Sequence, residues 1–375
     1  MKITSTLIAL ALASSAFAAP SLEPRTWNDK HQSQSKPIGK HVKEPKYFTS
    51  AFSTRAVNTT IINNNQESVP GQPGAFGHFS FKINSDKEII CWDIRTVGVT
   101  GEYQSPAFTA THIHQADVGR SGPPRIAFTN PKYERNDITG AEIRTSKGCL
   151  QGPFATNVTA NGQDTGSASG FKLKNIEENP SNFFSDTHTQ AFSAGAIRGQ
   201  LLRSEIEVKK PRSFTSVLRT EATSDQIITN AGAPTPGLEG ASGKYELRIN
   251  TNEDVICYDI TLKNFPKDEK YFSPAKTSTH THAAPFGSAG PPRLAYKNPE
   301  RKSYLWGAIK SKTRHSSACI KGPFTTGLLG TDGKDTGSAS GFTLTQLQDN
   351  PQAYFSDVHT ESRQAGAVRG QLYRA

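Results

Sequence analysis

Gly77-His78-Phe79-Ser80-Phe81-Lys82-Ile83-Asn84 places Phe79, Phe81 and Ile83 alternately with polar residues. That is the period of a strand with one buried face. The stretch returns 166 residues later as Gly243-Lys244-Tyr245-Glu246-Leu247-Arg248-Ile249-Asn250, with Tyr245, Leu247 and Ile249 on the apolar beat. Outward from it the matches continue. Ile89-Ile90-Cys91-Trp92-Asp93-Ile94 answers to Val255-Ile256-Cys257-Tyr258-Asp259-Ile260, and Thr111-His112-Ile113-His114 to Thr279-His280-Thr281-His282. Gly122-Pro123-Pro124-Arg125 returns as Gly290-Pro291-Pro292-Arg293, and residues 164–171 recur unchanged as 335–342. Ala196-Ile197-Arg198-Gly199-Gln200-Leu201 returns as Ala367-Val368-Arg369-Gly370-Gln371-Leu372.

The offset grows from 166 to 171, so insertions fall between matched blocks, where loops belong. Two tandem domains follow, with a period far above the ~20–50 residues of stacked solenoid repeats. Gly (31) and Pro (23) punctuate the chain at short intervals and no long 3.6-residue periodicity develops. One short helix per copy is expected, around residues 176–184 and 347–355. The fold class is all-β, as two tandem β-sandwich or Greek-key barrel domains.

Lys2, an apolar run over 3–13 and small residues up to Ala18-Ala19 make residues 1–19 a signal peptide. The apolar run is about half the ~20 residues that span a bilayer. Residues 20–46 are rich in Ser, Lys, Pro, Gln and His and read as a disordered arm. The first domain then covers 47–206, a linker 207–212 and the second domain 213–375. The expected location is secreted, extracellular or at the cell surface, with no membrane span.

Cys91 and Cys149 lie in the first copy, Cys257 and Cys319 in the second. Four cysteines permit three pairings; the repeat makes one bridge per copy the simplest, Cys91–Cys149 and Cys257–Cys319. No C-x-x-C spacing suggests metal or redox chemistry at these thiols. Asn58-Thr59-Thr60 and Asn157-Val158-Thr159 are N-glycosylation sequons, whereas Asn179-Pro180-Ser181 is excluded by its proline. The net charge of +10 is scattered and no nucleic-acid-binding module accompanies it. Extracellular macromolecules of a cell wall or matrix are the expected partners, and nucleic acid is not.

His112 and His114 stand two apart, so on a strand both imidazoles leave one face; His280 and His282 do likewise. Such a pair can hold a metal ion given a third ligand. His188 in Asp186-Thr187-His188-Thr189 and His359 in Asp357-Val358-His359-Thr360 are the candidates. Asp186 and Asp357 share a face with these histidines and can either orient an imidazole or complete the ligand set. Copper and zinc both suit imidazole donors. The first pair shares its face with Phe108 and Ala110, which predicts partial burial, the second with Lys276 and Ser278, which predicts exposure. Gly-Pro-Pro-Arg reads as a turn, with Arg125 and Arg293 in anion contacts or solvated. The Asp-Thr-Gly triplets at Asp164 and Asp335 read as loop turns rather than a protease motif.

The blocks Thr-His-Ile-His and Thr-His-Thr-His, with the endings Gly-Ala-Ile-Arg-Gly-Gln-Leu and Gly-Ala-Val-Arg-Gly-Gln-Leu, resemble the CHRD domain. That module is named after chordin and occurs in bacterial and fungal secreted proteins. The resemblance spans roughly 77–203 and 243–374 and implies a secreted β-rich domain with no common activity. A looser similarity is to copper–zinc superoxide dismutases, whose copper is held partly by a His-x-His strand. It implies His112, His114 and His188 as copper ligands and Arg198 as an anion-guiding arginine, repeated by His280, His282, His359 and Arg369. The leading expectation is a non-catalytic extracellular binding or matrix protein with a His-based metal site in each domain. The alternative is a copper-dependent redox enzyme.

Overall fold

The computed structural model describes residues 38–301 and 313–375. The signal peptide (1–19) and most of the N-terminal arm (20–37) lie outside the described residues. The principal strands of the first domain are β1 (Lys40–His41), β2 (Ser50–Val57), β3 (Phe76–Asn84), β4 (Ile89–Val97), β5 (Thr111–Gln115), β6 (Pro124–Phe128), β7 (Glu142–Gln151), β8 (Phe183–Thr189) and β9 (Phe192–Gln200). Those of the second are β10 (Ile206–Glu207), β11 (Ser216–Thr223), β12 (Ser242–Asn250), β13 (Val255–Lys263), β14 (Thr279–Ala283), β15 (Pro292–Tyr296), β16 (Arg314–Lys321), β17 (Tyr354–Val358) and β18 (Val368–Gln371).

Each domain is an antiparallel sheet curled into a half-barrel. The order is β1-β7-β4-β3-β2-β9-β8-β5-β6 in the first and β10-β16-β13-β12-β11-β18-β17-β14-β15 in the second, so the topology repeats with the sequence. The alternation that opened the reading is the cause. Phe79, Phe81 and Ile83 turn inward onto Phe52, Ile90, Trp92, Ile94 and Phe128. Tyr245, Leu247 and Ile249 do the same with Leu218, Ile256, Tyr258, Ile260 and Tyr296. Burying such side chains is worth roughly 1.5–3 kcal/mol each, and a one-residue slip would expose every one of them.

Cys91 pairs with Cys149 directly across β4 and β7, and Cys257 with Cys319 across β13 and β16, one disulfide per domain. The helices run over Leu173–Glu178 (α1) and Leu344–Asp349 (α2), a few residues earlier than expected. Leu173, Ile176, Leu344 and Leu347 enter the two cores. Asn179-Pro180 and Asn350-Pro351 end each helix, and the Phe183 and Tyr354 counted with it begin β8 and β17. Among the described residues no helix is long and apolar enough to cross a membrane.

The edge of each sheet carries a feature that the sequence reading did not assign. β1, from the stretch read as an arm, pairs with β7 through Lys40↔Gln151 and His41↔Leu150. β10, at the start of the stretch read as a linker, pairs with β16 through Ile206↔Lys321 and Glu207↔Ile320. The segment preceding each copy thus supplies that copy's edge strand.

The domains also touch. Arg55 donates from β2 to the carbonyls of Pro274 and Gly327, and Arg95 donates from β4 to Ser273 O at 3.3 Å. His78 Nε2 lies 3.0 Å from Pro274 O, and Lys276 pairs with Glu205. Burial, reinforced by Arg55 and Arg95, holds the His78 imidazole well below its ordinary pKa, so it is a neutral member of this cluster.

Candidate metal centre

Register builds the site. Across β5 and β8, His112 stands opposite Asp186 and His114 opposite Phe184. Across β8 and β9, Asp186 stands opposite Arg198. His188 lies two residues beyond Asp186 and leaves the same face. His112, His114, Asp186 and His188 therefore converge, with one donor atom from each lying within 4.8 Å of the others. In the second domain His280 faces Asp357, His282 faces Phe355 and Asp357 faces Arg369, and His280, His282, Asp357 and His359 converge in the same way.

Each imidazole is fixed through its far nitrogen. His112 Nε2 donates to Thr109 O at 2.6 Å, His114 Nδ1 to Gly122 O at 2.8 Å and His188 Nδ1 to Ser193 O at 2.9 Å. A carbonyl can only accept, so these nitrogens carry the proton. In the neutral tautomer each near nitrogen then points a lone pair at Asp186. His112 Nδ1 and His114 Nε2 lie 3.6 and 3.2 Å from Asp186 Oδ1, and His188 Nε2 lies 3.0 Å from Oδ2. The second domain repeats this with Thr277, Gly290 and Gln364 as the acceptors.

His112 Nδ1, His114 Nε2 and Asp186 Oδ1 are buried with no hydrogen-bond partner, as are His280 Nδ1, His282 Nε2 and Asp357 Oδ1. Buried polar atoms are nearly always paired, and an unpaired one costs about 1–3 kcal/mol. Here the orphans in both domains occupy matching positions and face one point.

The electrostatics are those of a buried anion among imidazoles. Burial pushes the Asp186 carboxyl up, but His114 and His188 outweigh it and hold the group well below the usual carboxylate range. Asp357 behaves alike beside His282 and His359. Burial pulls His112 down to about 4 and holds His280 well below its ordinary value. His188 and His359 are raised, because their contacts with Asp186 and Asp357 outweigh burial.

Around this centre the repeated blocks find their roles. The Gly122 carbonyl of the Gly-Pro-Pro-Arg turn is the His114 acceptor, and a Cβ on Gly122 would come within 2.1 Å of Gln115 O. Arg125 is committed elsewhere, donating to Thr165 O at 2.5 Å and to Gln115 Oε1 at 2.8 Å, and Arg293 donates to Thr336 O at 2.6 Å. Asp164 accepts from the backbone of Asn157, Gly166 and Ser167 at 2.8–2.9 Å, so its triplet is a loop staple. Phe184, which the sequence reading did not single out, has His114 stacked on it at 4.8 Å and the Arg198 guanidinium over it at 3.5 Å. Its signal was an apolar residue two before each Asp, Phe184 and Phe355, on the same strand face. The exposure expected for the second pair does not occur: His280 is 1% and His282 8% exposed. β14 begins only at Thr279, so Lys276 and Ser278 precede the strand and do not set its face.

A CHRD domain profile matches residues 59–201 and 218–372. The chain belongs to the CHRD domain family. Each match encloses one complete His–His–Asp–His cluster, so both CHRD domains carry the centre. No curated protein matches the chain. Of the remaining candidates, the sequon residues Asn58 and Asn157 sit in surface loops of the first CHRD domain, away from its core. Arg198 and Arg369 lie beside the cluster: Arg198 Nη2 donates to Arg120 O, Arg369 Nη2 to Ser288 O, and Nη1 of each is buried without a partner.

Proposed function

We propose that this is a secreted, non-catalytic tandem CHRD protein in which each domain holds one zinc ion through three histidines and one aspartate, and which acts at a cell wall or matrix. The observation that carries the metal reading is the matched set of orphaned donor atoms facing one point in each domain. His112, His114, His188 and Asp186 would hold the ion in the first domain, and His280, His282, His359 and Asp357 in the second. Three imidazoles and a carboxylate are a zinc-type set with bonds near ~2.0–2.2 Å, and four protein donors give the closed shell of a structural site. The backbone carbonyls behind each ring fix its tautomer, as second partners of metal-bound histidines do. The ion would tie β5 to β8 and β14 to β17 and so contribute to folding. The net charge of +10 supports weak attraction to acidic polymers outside the cell.

One observation favours a second reading, a copper-dependent redox enzyme. The unpartnered Nη1 of Arg198 and of Arg369 lies one strand from each cluster and offers a free donor for a small anion.

The test is metal analysis of untagged protein after reconstitution, repeated on His112→Ala/His114→Ala. About one zinc per domain, halved in the variant, is the expected result. Protein that retains neither zinc nor copper would overturn the metal reading. Bound copper that superoxide reduces and reoxidises would replace zinc with the second reading.

A further inference from the structure

One loop pair of the second domain, around Pro274 and Gly327, docks onto the first beside the Arg135–Glu361 ion pair, and the equivalent loop pair of the first domain, around Pro106 and Asn157, is exposed. Gly327 has φ +67°, and a Cβ built on it would lie 2.8 Å from His78 Nδ1 of the first domain. Its equivalent in the first domain is Asn157. Gly327 N donates to Asp335 Oδ2 at 2.7 Å, and Asn157 N donates to Asp164 Oδ2 at 2.8 Å. Both residues have positive φ, +67° and +70°. Beside them, Pro274 O receives Arg55 of the first domain, whereas among the described residues Pro106 O receives the Asn157 amide of its own domain, at 3.4 Å. Asn157 is exposed and heads the sequon Asn157-Val158-Thr159.

The opposite end of the tandem differs as well. Arg55 and His78, a cross-strand pair on β2 and β3, receive the docking loop in the first domain. At the same register on β11 and β12 stand Glu221 and Lys244, which form an exposed ion pair at 3.0 Å. A head-to-tail contact of this kind, repeated between molecules, builds rings or filaments unless the docking end or the receiving end is blocked. Glu221–Lys244 changes the receiving end. At the docking end stands a glycosylation acceptor.

We infer that Asn157 carries an N-linked glycan that caps the docking end of the tandem and keeps further CHRD domains off it. This rests on the secreted reading above. The donor is a lipid-pyrophosphate oligosaccharide. Its C1–O bond to pyrophosphate breaks, a C1–N bond to Asn157 Nδ2 forms, and one amide proton leaves with the lipid pyrophosphate. The side chain keeps one N–H, and the sugar occupies the space that the first domain fills over Gly327.

The experiment uses the full chain expressed in a glycosylating eukaryotic host, with peptide mapping of Asn58 and Asn157 and sedimentation analysis. Glu221→Arg/Lys244→His restores the receiving pair; with Asn157 intact it is expected to remain monomeric. Adding Asn157→Gly, the residue that the second domain has at this place, is expected to raise the weight-average mass about twofold or more with concentration. A thermal transition retained in both variants shows that each is folded. A bare Asn157 in secreted protein, or equal masses for the two variants, would overturn the inference. Failure of the chain to leave the cell, with both sequons bare, would instead overturn the secreted reading on which it rests.

Discussion

His112 and Asp186 face each other directly across β5 and β8, and His280 and Asp357 repeat the relationship in the second domain. In each pair the facing atoms, imidazole Nδ1 and carboxylate Oδ1, have no hydrogen-bond partner. Asp186→Asn keeps the shape but removes the anion that balances a dication. Metal content is expected to fall by one equivalent, from the first domain only, because the second cluster has its own aspartate. Elemental analysis with Asp357→Asn as the matched variant checks this, and loss of both ions from either single variant would contradict it.

A second prediction concerns acid. Thr49 Oγ1 and Ser50 Oγ donate to Glu177 Oε1, the latter at 2.7 Å. Burial pushes the Glu177 carboxyl up, but these donors and Lys174 hold it below the ordinary glutamate range. A depressed carboxyl contributes stability above its unfolded pKa of ~4.3, and that contribution disappears as pH falls through the folded value. The second domain has a neutral residue here, Gln348, accepting from Thr215 Oγ1 at 2.6 Å. Glu177→Gln is therefore expected to lower stability at neutral pH and to flatten its decline below about pH 4. Urea unfolding at a series of pH values reads both effects.

The Arg-Gly-Gln-Leu endings make a third prediction. Arg198 and Gln200 point to one face, and between them Gly199 turns to the other. There a Cβ would lie 2.3 Å from Thr54 Oγ1 and 2.6 Å from Arg55 O; at Gly370 the distances are 2.3 Å to Thr220 Oγ1 and 2.8 Å to Glu221 O. Gly199→Ala and Gly370→Ala are each expected to destabilise by about 1–3 kcal/mol through overpacking. A comparable loss in Gly330→Ala, where φ is not positive and the nearest atom is the exposed Asp332 carboxylate at 3.0 Å, measured by thermal unfolding, would remove this explanation.

Each disulfide supports a fourth. The bridges close stretches of 58 and 62 residues. Cys91→Ala/Cys149→Ala is expected to cost about 2–5 kcal/mol, with the zinc of the first domain retained, because β5 and β8 lie away from β4 and β7 in the sheet order. A mutant that unfolds with no measurable loss of midpoint would contradict it.

Much of this was legible in the chain. Phe79, Phe81 and Ile83, repeated as Tyr245, Leu247 and Ile249, carried the strand period, and two cysteines per copy carried the bridges. His188 and His359 were reachable because strand geometry puts alternate residues on one face. The histidine tautomers were not legible, since their partners are backbone carbonyls, to which residue identity gives no clue. The same holds for Arg55 and Arg95, whose acceptors in the second domain are the carbonyls of Pro274, Gly327 and Ser273. The edge strands β1 and β10 did leave a signal that went unread. Val42-Lys43-Glu44-Pro45-Lys46-Tyr47-Phe48-Thr49-Ser50 returns as Val208-Lys209-Lys210-Pro211-Arg212-Ser213-Phe214-Thr215-Ser216, at the opening block's own offset of 166. Polar composition hid it, because an edge strand two residues long has little to bury.

The placement of β10 has a consequence for how the two domains stay together. The first domain's last short strand, Leu202–Arg203, is followed almost at once by Ile206–Glu207, which is already bonded into the second sheet. Between separate molecules, these carbonyl contacts and the ion pairs Lys276–Glu205 and Arg135–Glu361 would hold only as far as concentration allows. On so short a tether the partners meet at an effective concentration on the order of millimolar or above. Millimolar affinity is then enough to hold the pair closed. The tether thus lowers the affinity that the interface itself must supply, and opening the chain between the domains would be expected to make the closed pair depend on concentration.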